Sequence, residues 1–140
     1  MKRIPLVLLV ALAAGLTLPL AGSAAEGDSP RACADLREGA FAVLSGNYVQ
    51  GDFQTAAPLC NGGVSLTIFV NDGTTTTALS PTTVIGTFHS FAITFDPTVT
   101  LVCVYAEVSV GRGHHIIDRI PDTGTRCLGF GGTVFYDYPF

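Results

Sequence analysis

Between Asp96-Pro97 and Gly111-Arg112-Gly113 the sequence runs Thr98-Val99-Thr100-Leu101-Val102-Cys103-Val104-Tyr105-Ala106-Glu107-Val108-Ser109-Val110. No other stretch outside the N-terminal leader constrains the fold as much. With a period of two, Val102, Val104, Ala106, Val108 and Val110 share one apolar face. Val99, Leu101, Cys103, Tyr105, Glu107 and Ser109 share the other, which turns polar after Tyr105. Branched and aromatic side chains suit a pleated surface, and no 3.6-residue stripe separates from the run. The density of valine also disfavours helix. The run reads as a central strand of an antiparallel sheet, with one face in the core and the other covered at one end.

The remaining segments read as shorter strands broken by turn residues. Arg31 to Arg37 fits either a helical turn or a first edge strand. Phe41 to Leu44 reads as a strand, Gly46-Asn47 as a turn, and Tyr48-Val49 as a continuation. Gly51-Asp52 reads as a second turn, Phe53 to Ala57 as a strand ended by Pro58, and Cys60-Asn61-Gly62-Gly63 as a turn. Val64 to Val70 alternates, and Asn71-Asp72-Gly73 is the strongest hairpin signal in the chain, with Thr74 to Leu79 as the return strand. Thr83 to Thr87 is a strand with a bulge at Gly86, and Ser90 to Phe95 is a clear one. His114 to Arg119 returns beside the central run. Pro121-Asp122-Thr123-Gly124 is a surface turn, Gly129 to Gly132 reads as flexible, and Thr133 to Tyr136 is the last strand.

Seven to nine short strands with closely spaced turns and no convincing helix predict an all-β fold. The expected architecture is an antiparallel β-sandwich, immunoglobulin-like, with a closed barrel as the alternative. The chain has no Trp, so the core tryptophan of true immunoglobulin domains is missing and only the architecture is expected.

Residues 1–25 stand apart from this pattern. Lys2 and Arg3 precede a long apolar stretch, Leu6 to Leu20, and Ala21-Gly22-Ser23-Ala24-Ala25 offers small residues for cleavage before Glu26. That is the form of a secretory signal peptide, and the apolar stretch is short for a membrane span. The expectation is a cleaved signal at 1–25 and one domain at 26–140, secreted to the extracellular space. The 115 residues of that domain are enough for a core of its own. Its five basic residues are all Arg and face eleven acids, a net charge of −6. Such a chain does not attract phosphate backbones or anionic membrane surfaces, so neither nucleic acid nor, after signal cleavage, a membrane is an expected partner.

Cys33, Cys60, Cys103 and Cys127 all lie in the mature part, and export with an even count argues for two disulfides. No C-x-x-C pair supports zinc or thioredoxin-like redox chemistry. Pairing Cys33 with Cys60 and Cys103 with Cys127 closes two local loops, each bridge contributing roughly 3–4 kcal/mol in the loop-entropy picture. Nested and crossed pairings stay open at this point.

Three patterns carry a resemblance: Ala57-Pro58-Leu59-Cys60 ahead of a strand, Val102-Cys103-Val104-Tyr105-Ala106, and Asp118-Arg119-Ile120-Pro121-Asp122 before Cys127. With these, the chain resembles a group of small exported bacterial β-sandwich proteins of uncharacterised role. The resemblance implies the sandwich and the local disulfide pairing, and no activity.

Candidate chemistry is sparse. No Ser sits in a G-x-S-x-G elbow, and the cysteines are committed to disulfides. His89, His114 and His115 are the candidate bases, with Asp96 or Asp118 to orient one, but no spacing favours a set. His114 with Asp118 is the one cluster suited to a metal. Four residues apart on a strand, they share a face, while His115 points the other way. No metal site or cofactor is assigned from it. Asp52, Asp72, Asp96 and Asp122 fall in turns, where turn chemistry explains them. Glu107 lies mid-strand and calls for an ion pair with Arg112, Arg119 or Arg126. Gly129-Phe130-Gly131-Gly132 lacks the Lys and helix of a phosphate loop. Phe130, Phe135, Tyr136, Tyr138 and Phe140 crowd the C-terminus, either as core or as an exposed strip for carbohydrate or a partner.

The expected function is an exported, non-enzymatic binding or structural module with an unknown protein or carbohydrate partner. The alternatives are a secreted inhibitor or effector acting on an extracellular enzyme, and a small metal-binding protein using His114 and Asp118. The end of the central strand, where Glu107 and Ser109 approach the His pair across the Gly111 turn, is the first place to look for a site.

Overall fold

The structure is a computed structural model that describes residues 33–60, 63–131 and 135–137. The expected signal peptide at 1–25, residues 26–32, Asn61 and Gly62 of the expected turn, Gly132, Thr133, Val134 and the aromatics Tyr138 and Phe140 lie outside the described residues.

The chain forms ten strands: β1 (Leu36–Leu44), β2 (Tyr48–Thr55), β3 (Val64–Asn71), β4 (Thr76–Leu79), β5 (Thr83–Ile85), β6 (Phe88–Thr94), β7 (Leu101–Val110), β8 (His115–Ile120), β9 (Arg126–Gly129) and β10 (Phe135–Asp137). Every pairing is antiparallel. The first sheet has the order β10-β1-β2-β6-β5 and the second β4-β3-β7-β8, with β9 also on β7. The two sheets share one core in an all-β antiparallel sandwich.

The long run is the centre of the second sheet. β3 lies along one side of β7, from Val64 opposite Val110 to Asn71 opposite Cys103. The other side is shared: β9 pairs with Leu101 to Val104, and β8 with Ala106 to Val110. Val102, Val104, Ala106 and Val108 have no exposed surface, as the alternation predicts. Leu66, Ile68 and Val70 of β3 join them from beside. Phe41, Val43, Val49, Phe53 and Phe91 meet them from the first sheet.

Both disulfides take the local pairing, Cys33–Cys60 and Cys103–Cys127. The second joins residues directly opposite on β7 and β9, so it lies within one sheet and fastens the short β9 to the central strand. The first holds the chain ahead of β1 to the segment between β2 and β3.

Four details depart from the sequence reading. Gly51 and Asp52 lie inside β2, which runs unbroken from Tyr48 to Thr55. A Cβ at Gly51 would stand 2.4 Å from the Ala40 carbonyl oxygen and 2.6 Å from the Phe91 ring, so this glycine marks a close approach and not a turn. Gly86 sits at the first position of the two-residue β5–β6 turn, with φ of 60°, and is not a bulge. The bulge falls on β8: Val108 opposes Asp118 and Ser109 opposes Ile116, leaving Ile117 extra. Finally, Arg126 to Gly129 forms β9, a strand the sequence did not announce.

Candidate functional site

The outer face of the second sheet is built from the half of β7 that turns polar. Tyr105, Glu107 and Ser109 point there. Across the ladder, β3 places Phe69 opposite Tyr105, Thr67 opposite Glu107 and Ser65 opposite Ser109. The Phe69 and Tyr105 rings stack at 4.7 Å between centroids. The Ser65 and Ser109 hydroxyls share a hydrogen bond at 3.2 Å.

On the other side of β7, Arg119 opposes Glu107 and completes the face. Its guanidinium lies 4.4 Å from the Tyr105 ring centroid, and its Nε is 3.5 Å from Glu107 Oε1. Its remaining nitrogens donate to the Pro121 and Gly124 carbonyls. Of the three arginines open to Glu107 in the sequence, Arg119 is the partner. Because that guanidinium is held by four neighbours, Tyr105, Glu107, Pro121 and Gly124, it serves as a wall of the face rather than a free cation.

Beside this wall lies a groove of about 410 Å³. Phe69, Ala78 and Ile116 give it apolar surface. Thr67, Glu107, Ser109 and His114 supply polar groups. His114 reaches it from the β7–β8 turn, where its backbone adopts φ of 47°, a conformation a non-glycine residue takes at some cost. The turn is tied down: Gly111 N donates to the Gly63 carbonyl at 3.0 Å and His114 N to the Gly111 carbonyl at 3.2 Å. The groove therefore unites Glu107, Ser109 and His114 at the strand end the sequence singled out.

Asp118 does not join them. The Ile117 bulge reverses the alternation, so Asp118 opposes the core residue Val108 while Ile116 opposes Ser109. Asp118 Oδ2 accepts the backbone N–H of Leu36 at 2.6 Å, a bond that ties the second sheet to the start of β1. Its Oδ1 accepts the Arg119 N–H. The pairing of His114 with Asp118 on one strand face is thus corrected. His115 opens β8 opposite Val110 and is exposed. Among the described residues, no group of three or more His, Cys, Asp or Glu side chains could hold a metal ion.

The other candidates separate. His89 is wholly buried in the sandwich, its Nε2 3.0 Å from Thr55 Oγ1 and its Nδ1 without a partner among the described residues; burial pushes its pKa down. Asp72 and Asp96 do cap turns as expected. Asp72 accepts the N–H groups of Thr74 and Thr75 and the Thr74 hydroxyl. Asp96 accepts the hydroxyl and N–H of Thr98. Those hydrogen bonds hold both carboxyls below the usual range, with the Thr75 and Thr74 backbone leading for Asp72 and the Thr98 hydroxyl for Asp96. Asp52 is the exception among the four turn acids. It lies half-buried on a strand, and burial, then the nearby Glu38, push its pKa up. Of the C-terminal aromatics, Phe130 packs edge-on against Phe95 at 6.3 Å, on the margin of the core.

The sequence matches no protein-family model, and comparison with curated proteins and with solved structures gives no significant match to either.

Proposed function

We propose that the chain is an exported, non-enzymatic binding module that engages its partner through the groove on the outer face of the second sheet. The observation that carries this reading is the meeting of Glu107, Ser109 and His114 with the apolar surface of Phe69 and Ile116 in one concavity. A ligand with an apolar body and a hydrogen-bonding end fits such a lining: the body covers Phe69, Ala78 and Ile116, and the polar end meets Glu107 and His114. The left-handed backbone at His114 supports a binding role, since strain of this kind is retained where it aims a side chain.

Export rests on the leader sequence and is consistent with two disulfides. Among the described residues no helix is long and apolar enough to cross a membrane. The immunoglobulin-like architecture and the kinship with small exported bacterial sandwiches belong to the same reading, supported by the facing antiparallel sheets and the local disulfides. The separation of His114 from Asp118 weighs against the metal-binding alternative.

The test uses the chain from Glu26 onward, immobilised beside its Ile116→Arg variant. Material from the native surroundings should yield a ligand retained by the first and lost by the second. Recovery of the same molecules on both columns, or of none, overturns the groove as the site. Recovery of one extracellular enzyme whose activity the protein suppresses replaces this reading with that of an inhibitor.

A further inference from the structure

The opposite face of the molecule carries a second concavity, of about 360 Å³, on the outside of the first sheet. Register explains why it exists. On β2 the outward positions are Tyr48, Gln50 and Asp52, and on β6 their partners are Thr94, Ala92 and Ser90. A row of larger polar side chains thus faces a row holding two small ones, which leaves a trough along the strands. The neighbouring β5 is only three residues long and pairs no further than Ser90. Beyond that point the β6 side of the trough is open. Thr82 closes the other end, its N–H and hydroxyl both donating to the Ser90 carbonyl at 2.8 and 3.2 Å.

What distinguishes this trough is the state of its polar groups. Among the described residues, no hydrogen bond or ion pair engages the Asp52 carboxylate, the Gln50 amide, the Tyr48 hydroxyl or the Ser90 hydroxyl. Asp52 is half-buried, so its carboxylate has lost part of its water without gaining a protein donor. Side chains on alternate positions of β2 stand about 7 Å apart at the usual strand rise. Tyr48, Gln50 and Asp52 therefore present a ring, an amide and a carboxylate over about 14 Å in a line.

We propose that this trough is a second binding site and that it takes a neutral polyhydroxylated ligand, a short saccharide. Hydroxyl groups donate and accept at once. They donate to the Asp52 oxygens and the Gln50 carbonyl, and they accept from the Gln50 NH2 and the Ser90 hydroxyl. The Tyr48 ring offers an apolar plate for the C–H face of a sugar. Charge narrows the class: among the described residues the lining holds no cation and Glu38 lies beside Asp52, so phosphorylated, sulfated and uronic ligands are repelled. The inference does not depend on the groove of the second sheet.

The test is NMR titration of the chain from Glu26 onward with four neutral hexasaccharides, built from glucose, N-acetylglucosamine, xylose and mannose. At least one should shift the amides of Gln50 to Asp52 and of Ser90 to Ala92. Asp52→Ala should weaken that binding at least about tenfold, the loss of one hydrogen bond to a charged group. Tyr48→Ala should weaken it too, and Thr123→Ala, in an exposed turn outside both concavities, should leave it unchanged. The unshifted amides of the second sheet report that each variant is folded. No response to any of the four sugars, or a response indifferent to Asp52→Ala, overturns the proposal. Shifts produced at the same amides by calcium chloride alone and reversed by a chelator make the trough a cation site instead, which also overturns it.

Discussion

The two sheets solve the same packing problem with different side chains. On its core side the second sheet is aliphatic and regular: Leu66, Ile68 and Val70 on β3 lie beside Val102, Val104, Ala106 and Val108 on β7, all of them buried. The first sheet fills its side with rings, Phe41, Phe53 and Phe91, and with a polar pair, His89 and Thr55. Rings need a recess. Gly51 supplies it, opposed by Phe41 on one side and Phe91 on the other. A valine-rich face packs by repetition, whereas an aromatic face depends on single residues that leave room for it. The first sheet should therefore respond more sharply to single substitutions.

Gly51→Val tests this most severely. Its Cβ alone would meet the Ala40 carbonyl oxygen at 2.4 Å, the Phe91 ring at 2.6 Å and Phe41 Cβ at 2.7 Å, and backbone cannot yield as a side-chain tip can. Overpacking of this degree should cost about 3 kcal/mol or more. Val104→Ala, at the centre of the second sheet, should cost about 2 kcal/mol through lost burial and a small cavity. Urea denaturation of the two variants against the parent measures both. A smaller loss for Gly51→Val than for Val104→Ala would break the contrast between the sheets.

The same contrast governs how much could be read from the sequence. β7 was legible because thirteen residues alternate without a break and the turns on either side carry Asp-Pro and Gly residues. The Asn71-Asp72-Gly73 hairpin was legible because turn geometry is local. Gly51-Asp52 was misread because a glycine that makes room for rings and a glycine that makes a turn look alike in one dimension. β9 was missed because its four residues, Arg126-Cys127-Leu128-Gly129, are too few to alternate and owe their place to pairing with Leu101 to Val104. At the groove, Glu107, Ser109 and His114 were foreseen together because strand period and a short turn fix their proximity. Phe69, Ala78 and Ile116 were not, since their presence depends on register between distant strands and on a bulge. The trough on the first sheet was hidden behind the misread Gly51 turn, which removed Asp52 from its strand.

The bulge on β8 offers a second, smaller test. It sends Asp118 inward to the Leu36 N–H and leaves His114 over the outer groove. Asp118→Ala removes an acceptor that joins the sheets and should cost about 1.5–3 kcal/mol, the range for a hydrogen bond to a charged group. His114→Ala should stay within about 0.5 kcal/mol of the parent, as for a surface side chain outside the core. Equal losses for the two variants would mean that the residues act together after all. The Leu36 amide proton, followed by hydrogen exchange, should lose protection in Asp118→Ala and keep it in His114→Ala.

The smallest expected effect lies in the polar pair that sets the first sheet's interior apart. His89 is enclosed between Phe53 on β2 and Val84 on β5, and among the described residues Thr55 Oγ1 is the one hydrogen-bond partner of its side chain. Burial alone pushes its pKa below the ordinary 6.5 for histidine, with no carboxylate contributing to the shift. The folded state therefore favours the neutral ring, while the unfolded chain takes up a proton near 6.5. The stability this residue contributes is fully present above pH 6.5. It declines as the pH falls from there toward the folded-state pKa, because the unfolded chain binds the extra proton. The second sheet buries no histidine among its described residues, so the acid response should begin at the first. Titration of the His89 ring resonances should give a midpoint below the ordinary 6.5. The urea midpoint of the parent should fall between pH 7 and pH 5.5, and His89→Asn should flatten that slope. A His89 midpoint at or above 6.5 in the folded protein would show that the ring is hydrated or paired, and that the first sheet's polar pair is not the acid-sensitive element its enclosure implies.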